Sequence, residues 1–429
     1  MSAPAGVPTS PATDVRGLFT SASWLGGSTL LNAAVGFAFW IVAARLLDAE
    51  VVGVEGTVLN VVMLLAWLCQ LGMQSTLPRF IPVAGPGARG LVLRTYLAAT
   101  VLALLCGAVW LIWSLLAGQP LFGLPLWLTL FSAASVLAWT VFSLQDSVLV
   151  GVRRPQLVAA ENAAYSVLKL LLLVPLALLL PQGALLVAWV VPVLLFIPVV
   201  NVYLFRRAMP AATAGPGHVT TREVVVFVAH DLPGGAAAML AVRLVPVVVL
   251  AQVGAEDTGY FLVAWQVLMV LELALSSLGL ALTVEGSGAG DGATRVLARQ
   301  LLRRVLPLAA AGSLALVGLA GPVLMLFGPG YASEATTILQ VLISTLALRV
   351  LIDCAVSLMR VRSDLKLLLW IELVRAPVAL GSCWALSGAY GTIGAAASYA
   401  LTNLVLAVLA VAYLRHAFRV MATDAHQTD

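Results

Sequence analysis

Ala49-Glu50-Val51-Val52-Gly53 returns 206 positions later as Ala255-Glu256-Asp257-Thr258-Gly259. Other echoes surround it. Leu25-Gly26-Gly27 is matched by Pro233-Gly234-Gly235 at an offset of 208, and Leu71-Gly72 by Leu278-Gly279 at 207. Asp146 and Arg153 stand 207 positions before Asp353 and Arg360. Leucine and glycine are common in this chain, so each echo alone is weak. Four at nearly one offset read as a duplication, two similar halves in one chain.

The stretches between these signposts are apolar. Of the residues, 62% are hydrophobic and 10% charged, and the mean hydropathy is +1.05. Soluble domains carry roughly a quarter charged residues, so the composition is that of a membrane protein, with no hydrophilic segment long enough for a soluble domain. The four cysteines, Cys69, Cys106, Cys354 and Cys383, lie in apolar runs without paired or metal-like spacing and read as small buried side chains. No metal, cofactor or nucleic-acid partner is expected.

A bilayer-spanning helix needs ~20 mainly apolar residues. On that measure the chain offers twelve spans, at about 19–46, 51–77, 91–117, 126–150, 156–180, 183–205, 224–252, 257–283, 303–328, 335–359, 366–388 and 391–414. The expected fold is an all-α polytopic membrane protein, two parallel-related six-helix bundles around a central cavity. Its expected divisions are a disordered tail at 1–18, bundles at 19–205 and 223–414, a Pro/Gly/Thr-rich linker at 206–222 and a second tail at 415–429. Arginines fix the orientation. Arg79, Arg89, Arg153, Arg154, Arg206 and Arg207 fall in alternate loops, and Arg295, Arg299, Arg303, Arg304, Arg360 and Arg362 repeat the bias in the second half. The opposite loops hold Arg45 with Asp48, Glu50, Glu256, Asp257 and Glu334. The basic side is read as cytoplasmic, with both termini on it. Arg295, Arg299 and Arg303 recur every fourth residue, a stripe suited to anionic lipids of the inner leaflet.

Ionisable groups inside spans cost a few kcal/mol each to insert, so each is a functional candidate. In the first half they are Asp146, Glu161 and Lys169; in the second, His230, Asp231, Arg243, Glu272, Arg349, Asp353, Glu372 and Arg375. At ~1.5 Å per residue, Asp353 and Glu372 sit roughly 10 Å below the basic surface, and Asp146 and Glu161 hold matching positions. Arg349/Asp353 and Glu372/Arg375 are spaced to neutralise each other on their own helices. Lys169, Arg243 and Glu272 lie deeper, without a same-helix partner, and are expected to line a cavity. Asn60 and Gln266, 206 apart, are repeat-related polar companions. His230-Asp231 stands beside the glycines of a possible hinge, as a protonation switch or a satisfied histidine. The hinge glycines are Gly26, Gly27, Gly234 and Gly235. Four cations (Lys169, Arg243, Arg349, Arg375) face six acids (Asp146, Glu161, Asp231, Glu272, Asp353, Glu372), a net −2.

Two phrases carry a resemblance. Ala44-Arg45-Leu46-Leu47-Asp48-Ala49-Glu50-Val51-Val52-Gly53 and Leu71-Gly72-Met73-Gln74-Ser75-Thr76-Leu77-Pro78-Arg79-Phe80 resemble the first hairpin of the polysaccharide transporters, the lipid-linked oligosaccharide flippase branch of the multidrug/oligosaccharidyl-lipid/polysaccharide exporter superfamily. Gly254–Tyr260 is similar to that family's segment before span eight. The resemblance implies two six-helix bundles working by alternating access. It also implies outward movement of a polyprenyl-diphosphate-linked oligosaccharide, polysaccharide-assembly enzymes as partners and a monomer in the plasma membrane. The lipid II flippases of the superfamily carry an Arg-Asp pair where this chain has Phe39-Trp40 after Gly36-Phe37-Ala38. Its cation-coupled drug exporters often carry an acid in helix 1, and none lies between Phe19 and Leu47. The alternatives are such an exporter and, from another class, a membrane glycosyltransferase. The short loops leave little room for the latter's outer domain.

Overall fold

The computed structural model describes residues 32–116, 121–209, 217–287, 291–362 and 364–425, and its regular structure is helical throughout. Among the described residues, ten helices are long and apolar enough to cross a membrane. The last of them, Lys366–Met421, is two spans in one run, because Gly391 turns the backbone at φ 64°, ψ −145°. A Cβ on Gly394 would meet the Leu386 carbonyl oxygen at 1.9 Å, so that turn admits only glycine. Asn32–Leu46 is the described part of span one. The chain is a multi-pass membrane protein, and the described helices fall along the twelve stretches that hydropathy marks out.

Several span boundaries differ from the sequence reading. Span two ends at Cys69 rather than Leu77; Leu71 and Gly72 adopt positive φ (51° and 71°) and restart the chain as a short helix, Met73–Phe80. Span six continues through a π-helical turn, Leu204–Ala208, so Arg206 and Arg207 belong to the helix and not to the linker. Span seven is broken at Leu244 into Thr221–Arg243 and Val245–Val253, with Pro246 at the start of the second piece. Span nine begins at Asp291 instead of 303, which places Arg295, Arg299 and Arg303 on the helix itself. Span ten is likewise two pieces, Thr336–Ile343 and Leu346–Val361.

The packing of the halves is uneven along the membrane normal. At the end carrying Asp48, Glu50 and Glu256, one buried core joins both halves, drawing Phe39, Trp40 and Leu186 together with Phe261, Trp265 and Phe327. At the arginine-rich end the core divides. Leu77, Val148 and Leu204 belong to one cluster, and Ile352, Leu358 and Tyr413 to another. The halves are thus fused at the acidic end and separate towards the arginine-rich end.

The repeated phrase builds the fusion. A Cβ on Gly53 would lie 2.0 Å from the Ala255 carbonyl oxygen, and one on Gly259 would lie 2.0 Å from that of Ala49. Ala49-x-x-x-Gly53 and Ala255-x-x-x-Gly259 therefore cross backbone to backbone, the small-xxx-small solution to helix packing in lipid. Each contact is the image of the other under the duplication, as a two-fold relation requires. Arg45 adds a polar tie: its Nε donates to the Leu326 carbonyl at 2.6 Å, between span one and the end of span nine. Tyr331 stacks edge-on against Tyr260 nearby, at 5.2 Å. Burial, then Tyr260 and Asp48, push its hydroxyl above the ordinary phenol range, so it seals as a neutral group.

Candidate transport site

Span two runs beside span seven over most of its length, and this seam holds the first site. Asn60, buried, donates to the Gly56 carbonyl at 2.8 Å and offers its own oxygen to Arg243, whose Nη1 donates at 3.0 Å. Two sequence candidates from opposite halves are thereby brought together. Arg243 is half-buried, and among the described residues it has no carboxylate partner. Its carrier helix stops at the next residue, Leu244, so the guanidinium sits on a break in span seven. Gln266, the repeat mate of Asn60, is half-buried on span eight without a polar partner among the described residues.

Towards the arginine-rich end the seam is strapped by Met73–Phe80. Ser75 donates to Asp231, the Arg79 guanidinium lies 4.8 Å over the Phe227 ring, and Phe80 meets Phe227 at 5.7 Å. His230 and Asp231 find separate partners. His230 Nδ1 lies 2.7 Å from the Val226 carbonyl, and both side chains are exposed. Span seven stays helical through Gly234 and Gly235, and a Cβ on Gly235 would meet the Trp67 ring at 2.8 Å. Gly235 is therefore a close helix contact, and the interruption falls at Leu244. Gly26 and Gly27 lie outside the described residues.

Five of the second-half charges form one group. Arg349 faces Asp353 at 3.2 Å and Arg375 faces Glu372 at 3.5 Å, the same-helix pairs that their spacing predicts. Glu272 accepts from the Tyr399 hydroxyl on span twelve, and Glu272, Asp353 and Glu372 all lie within electrostatic reach of Arg349. Arg349 Nη1 and Asp353 Oδ2 have no hydrogen-bond partner among the described residues.

Lys169 has a different setting. It is 5% exposed, and its Nζ sits 3.7 Å from the Trp189 ring centre and 5.1 Å from those of Phe39 and Tyr165. These rings come from spans six, one and five, and their faces attract the ammonium where no carboxylate does. Nearer the arginine-rich end, Asn162 donates to Asp146 at 3.1 Å, Gln145 to Glu161 and Asn201 to Gln145 at 2.8 Å. Asp146 and Glu161 thus have amide partners, not cations.

Glu55 escaped the sequence reading, although it lies in the apolar run of span two. It is 1% exposed and accepts backbone hydrogen bonds from Gly183, Leu185 at 3.0 Å and Leu186 at 3.1 Å. It caps the start of span six, Ala184–Tyr203, from another helix, and its charge suits that helix's positive end.

This arrangement has solved counterparts. The chain superposes on a multidrug resistance MATE family transporter of the MOP superfamily, in its inward-facing conformation, with a TM-score of 0.71 at 15% identity, covering 92% of this chain and 96% of that one. It superposes on the lipid II flippase MurJ, in the inward closed conformation, with a TM-score of 0.74 at 11% identity, over 93% and 89% of the two chains. A third counterpart is a MOP superfamily transporter from Pyrococcus furiosus, described by a reverse polarity of its binding pocket, with a TM-score of 0.59 at 14% identity over 94% and 93%. The fold is that of the MOP superfamily transporters. No protein-family model and no curated protein matches the sequence.

Proposed function

We propose that this chain is an alternating-access flippase that carries a polyprenyl-diphosphate-linked oligosaccharide from the cytoplasmic to the outer leaflet of the plasma membrane. The observation that carries this reading is Arg243: a half-buried cation on the seam between the halves, held by Asn60 and, among the described residues, without a carboxylate. A counterpart with this fold is described by a reversed polarity of its binding pocket that suggests a different function. A guanidinium with free donors suits phosphate oxygens.

The arginine-rich end is cytoplasmic in this reading, and both termini with it. The separated cores then face the cytoplasm, where the headgroup enters. Arg243 takes the diphosphate, Asn60 and Gln266 take sugar hydroxyls, and Arg349, Arg375 and Lys169 act later as the halves reclose. Reclosing at the cytoplasmic end must open the Gly53–Gly259 crossing, so the substrate favours transport by binding the two states differently. Glu272, Asp353 and Glu372 serve ion coupling. The Arg295, Arg299 and Arg303 stripe rests on anionic inner-leaflet lipids, and polysaccharide-assembly enzymes are the protein partners of a monomeric transporter.

A second reading, a cation-coupled exporter of small molecules, is favoured by the excess of acids over cations in the spans and by the likeness to a multidrug resistance transporter. Purified protein in liposomes separates the two. Outward movement of a labelled lipid-linked oligosaccharide supports the flippase, and efflux of a cationic dye without it overturns that reading.

A further inference from the structure

Spacing pairs none of the four cysteines, but the fold brings two of them into contact. Cys69 is the last residue of span two, and Cys106 lies on span three, 37 positions on. Their Sγ atoms are 3.6 Å apart. Cys69 is buried and Cys106 half-buried, so one thiol of the pair is closed off and the other is more open. Cys354 and Cys383 are buried on spans ten and eleven, and neither makes a thiol–thiol hydrogen bond among the described residues. The pair sits at the root of the strap. Just beyond Cys69 the chain turns at Leu71 and Gly72, and Met73–Phe80 then makes the Ser75–Asp231 and Arg79–Phe227 contacts to the second half.

The duplication shows what stands at the same places in the other half. At the 207-residue offset of Asp146 and Asp353, Cys69 answers to Ser276 and Cys106 to Ser313. Both hydroxyls have backbone acceptors: Ser276 donates to the Leu273 carbonyl at 3.0 Å and Ser313 to that of Ile343 at 2.6 Å. In the first half both oxygens are sulfurs, and each sulfur has the other as its partner. A thiol is a weak hydrogen-bond donor, so the contact adds little in that role. What sulfur has and oxygen lacks is reversible oxidation.

We propose that Cys69 and Cys106 are an oxidation site, a dithiol that a peroxide closes into a disulfide fastening the root of the strap to span three. Side-chain rotation and a small closing of the two spans bring the sulfurs from contact to the bonded separation of about 2.05 Å. The half-buried Cys106 meets the peroxide first: its sulfur takes one oxygen, the O–O bond breaks, and a sulfenic acid and one water result. The Cys69 sulfur then attacks the sulfenyl sulfur, the S–O bond breaks, and the hydroxyl leaves with the Cys69 proton as a second water. In sum, two thiols and one hydrogen peroxide give one disulfide and two waters, and the two electrons lost by the sulfurs go to the peroxide. A thiol reductant reverses the bond. The site does not depend on which cargo the transporter carries, so it stands or falls apart from the flippase reading.

The test uses full-length purified protein in detergent, treated with hydrogen peroxide or left reduced, then alkylated under denaturing conditions, digested and read by mass spectrometry. The expected product is a linked Cys69–Cys106 peptide, lighter by two hydrogens and reversed by dithiothreitol, while Cys354 and Cys383 stay open to alkylation. The oxidised protein should melt several degrees higher, since the bond closes a loop across 37 positions. The backbone amides of Met73–Phe80 should exchange with solvent more slowly. Both effects should be absent in Cys69→Ser and Cys106→Ser, which copy the second half. Wild-type protein that keeps all four thiols after peroxide, that gains oxygen on Cys106 without a crosslink, or that crosslinks through Cys354 or Cys383 overturns the site, and no variant is needed to see it. A Cys69–Cys106 crosslink that leaves both melting and strap exchange unchanged overturns the fastening. Reduced protein that moves no lipid-linked oligosaccharide overturns the flippase reading alone.

Discussion

Gly53 and Gly259 are 206 residues apart in sequence and touch backbone to backbone in the fold, each against the carbonyl of the alanine four residues before the other, Ala255 or Ala49. The phrase that reveals the duplication is thus also the joint between the duplicated halves. It lies at the acidic end, inside the one core that both halves share.

A side chain at either glycine must push the joint apart. Gly53→Leu and Gly259→Leu are each expected to destabilise the protein by about 1–3 kcal/mol, the usual range for overpacking a close contact, and to slow transport by holding the acidic end ajar. Thermal unfolding in detergent and flipping in liposomes read the two effects. Stability and rates equal to wild type in both variants would show that the crossing is not under compression.

Glu55 makes a sharper prediction about assembly. Glu55→Ala leaves three backbone N–H groups at the start of span six without an acceptor, and the loss of a charged hydrogen-bond acceptor in such a setting costs about 1–3 kcal/mol. Glu55→Gln keeps an acceptor oxygen without the charge and should recover part of that. A melting series in the order wild type, Gln, Ala is the expected result, and equal melting of all three would remove the cap from the account.

Spans, sidedness of charge and duplication were legible in the sequence because each is a one-dimensional pattern: apolar length, arginine alternation, a fixed offset. The same-helix pairs Arg349–Asp353 and Glu372–Arg375 were legible for the same reason. What joins distant spans was not. Glu272 finds its partner in Tyr399, 127 residues on, and the rings around Lys169 come from three spans. The break at Leu71-Gly72 sits in an apolar run, where hydropathy does not register a change of backbone. Glu55 lies within the first two turns of its helix, where an acid reads as an interfacial residue until the span-six amides are seen above it.

Lys169 separates a structural cation from a working one. In Lys169→Met the apolar stem still fills the aromatic cage and the cost of burying a charge disappears, so stability should be unchanged or higher. Flipping should nevertheless be lost in Lys169→Met, and Lys169→Arg should keep part of it. A stable Met variant that flips lipid at the wild-type rate would confine Lys169 to packing.

The driving force gives the last prediction. A diphosphate headgroup carries ~2 negative charges, and one charge crossing the full field is worth ~2.3 kcal/mol per 100 mV. With the cytoplasm negative, outward movement of that anion is favoured by roughly 4–5 kcal/mol per 100 mV, less whatever protein charge moves with it. In the flippase reading Arg243 holds the anion on the seam, since Asn60 takes one of its N–H groups and, among the described residues, no carboxylate pairs with it. Arg243→Ala should abolish flipping, and Arg243→Lys should retain charge but lose the bidentate grip, lowering the rate at least tenfold, about 1.4 kcal/mol of binding to the headgroup. Collapsing the potential at constant pH should slow the wild type. Flipping that ignores the potential and follows a proton or sodium gradient would shift the driving role to Glu272, Asp353 and Glu372, and their amide variants would then be the ones to stop transport.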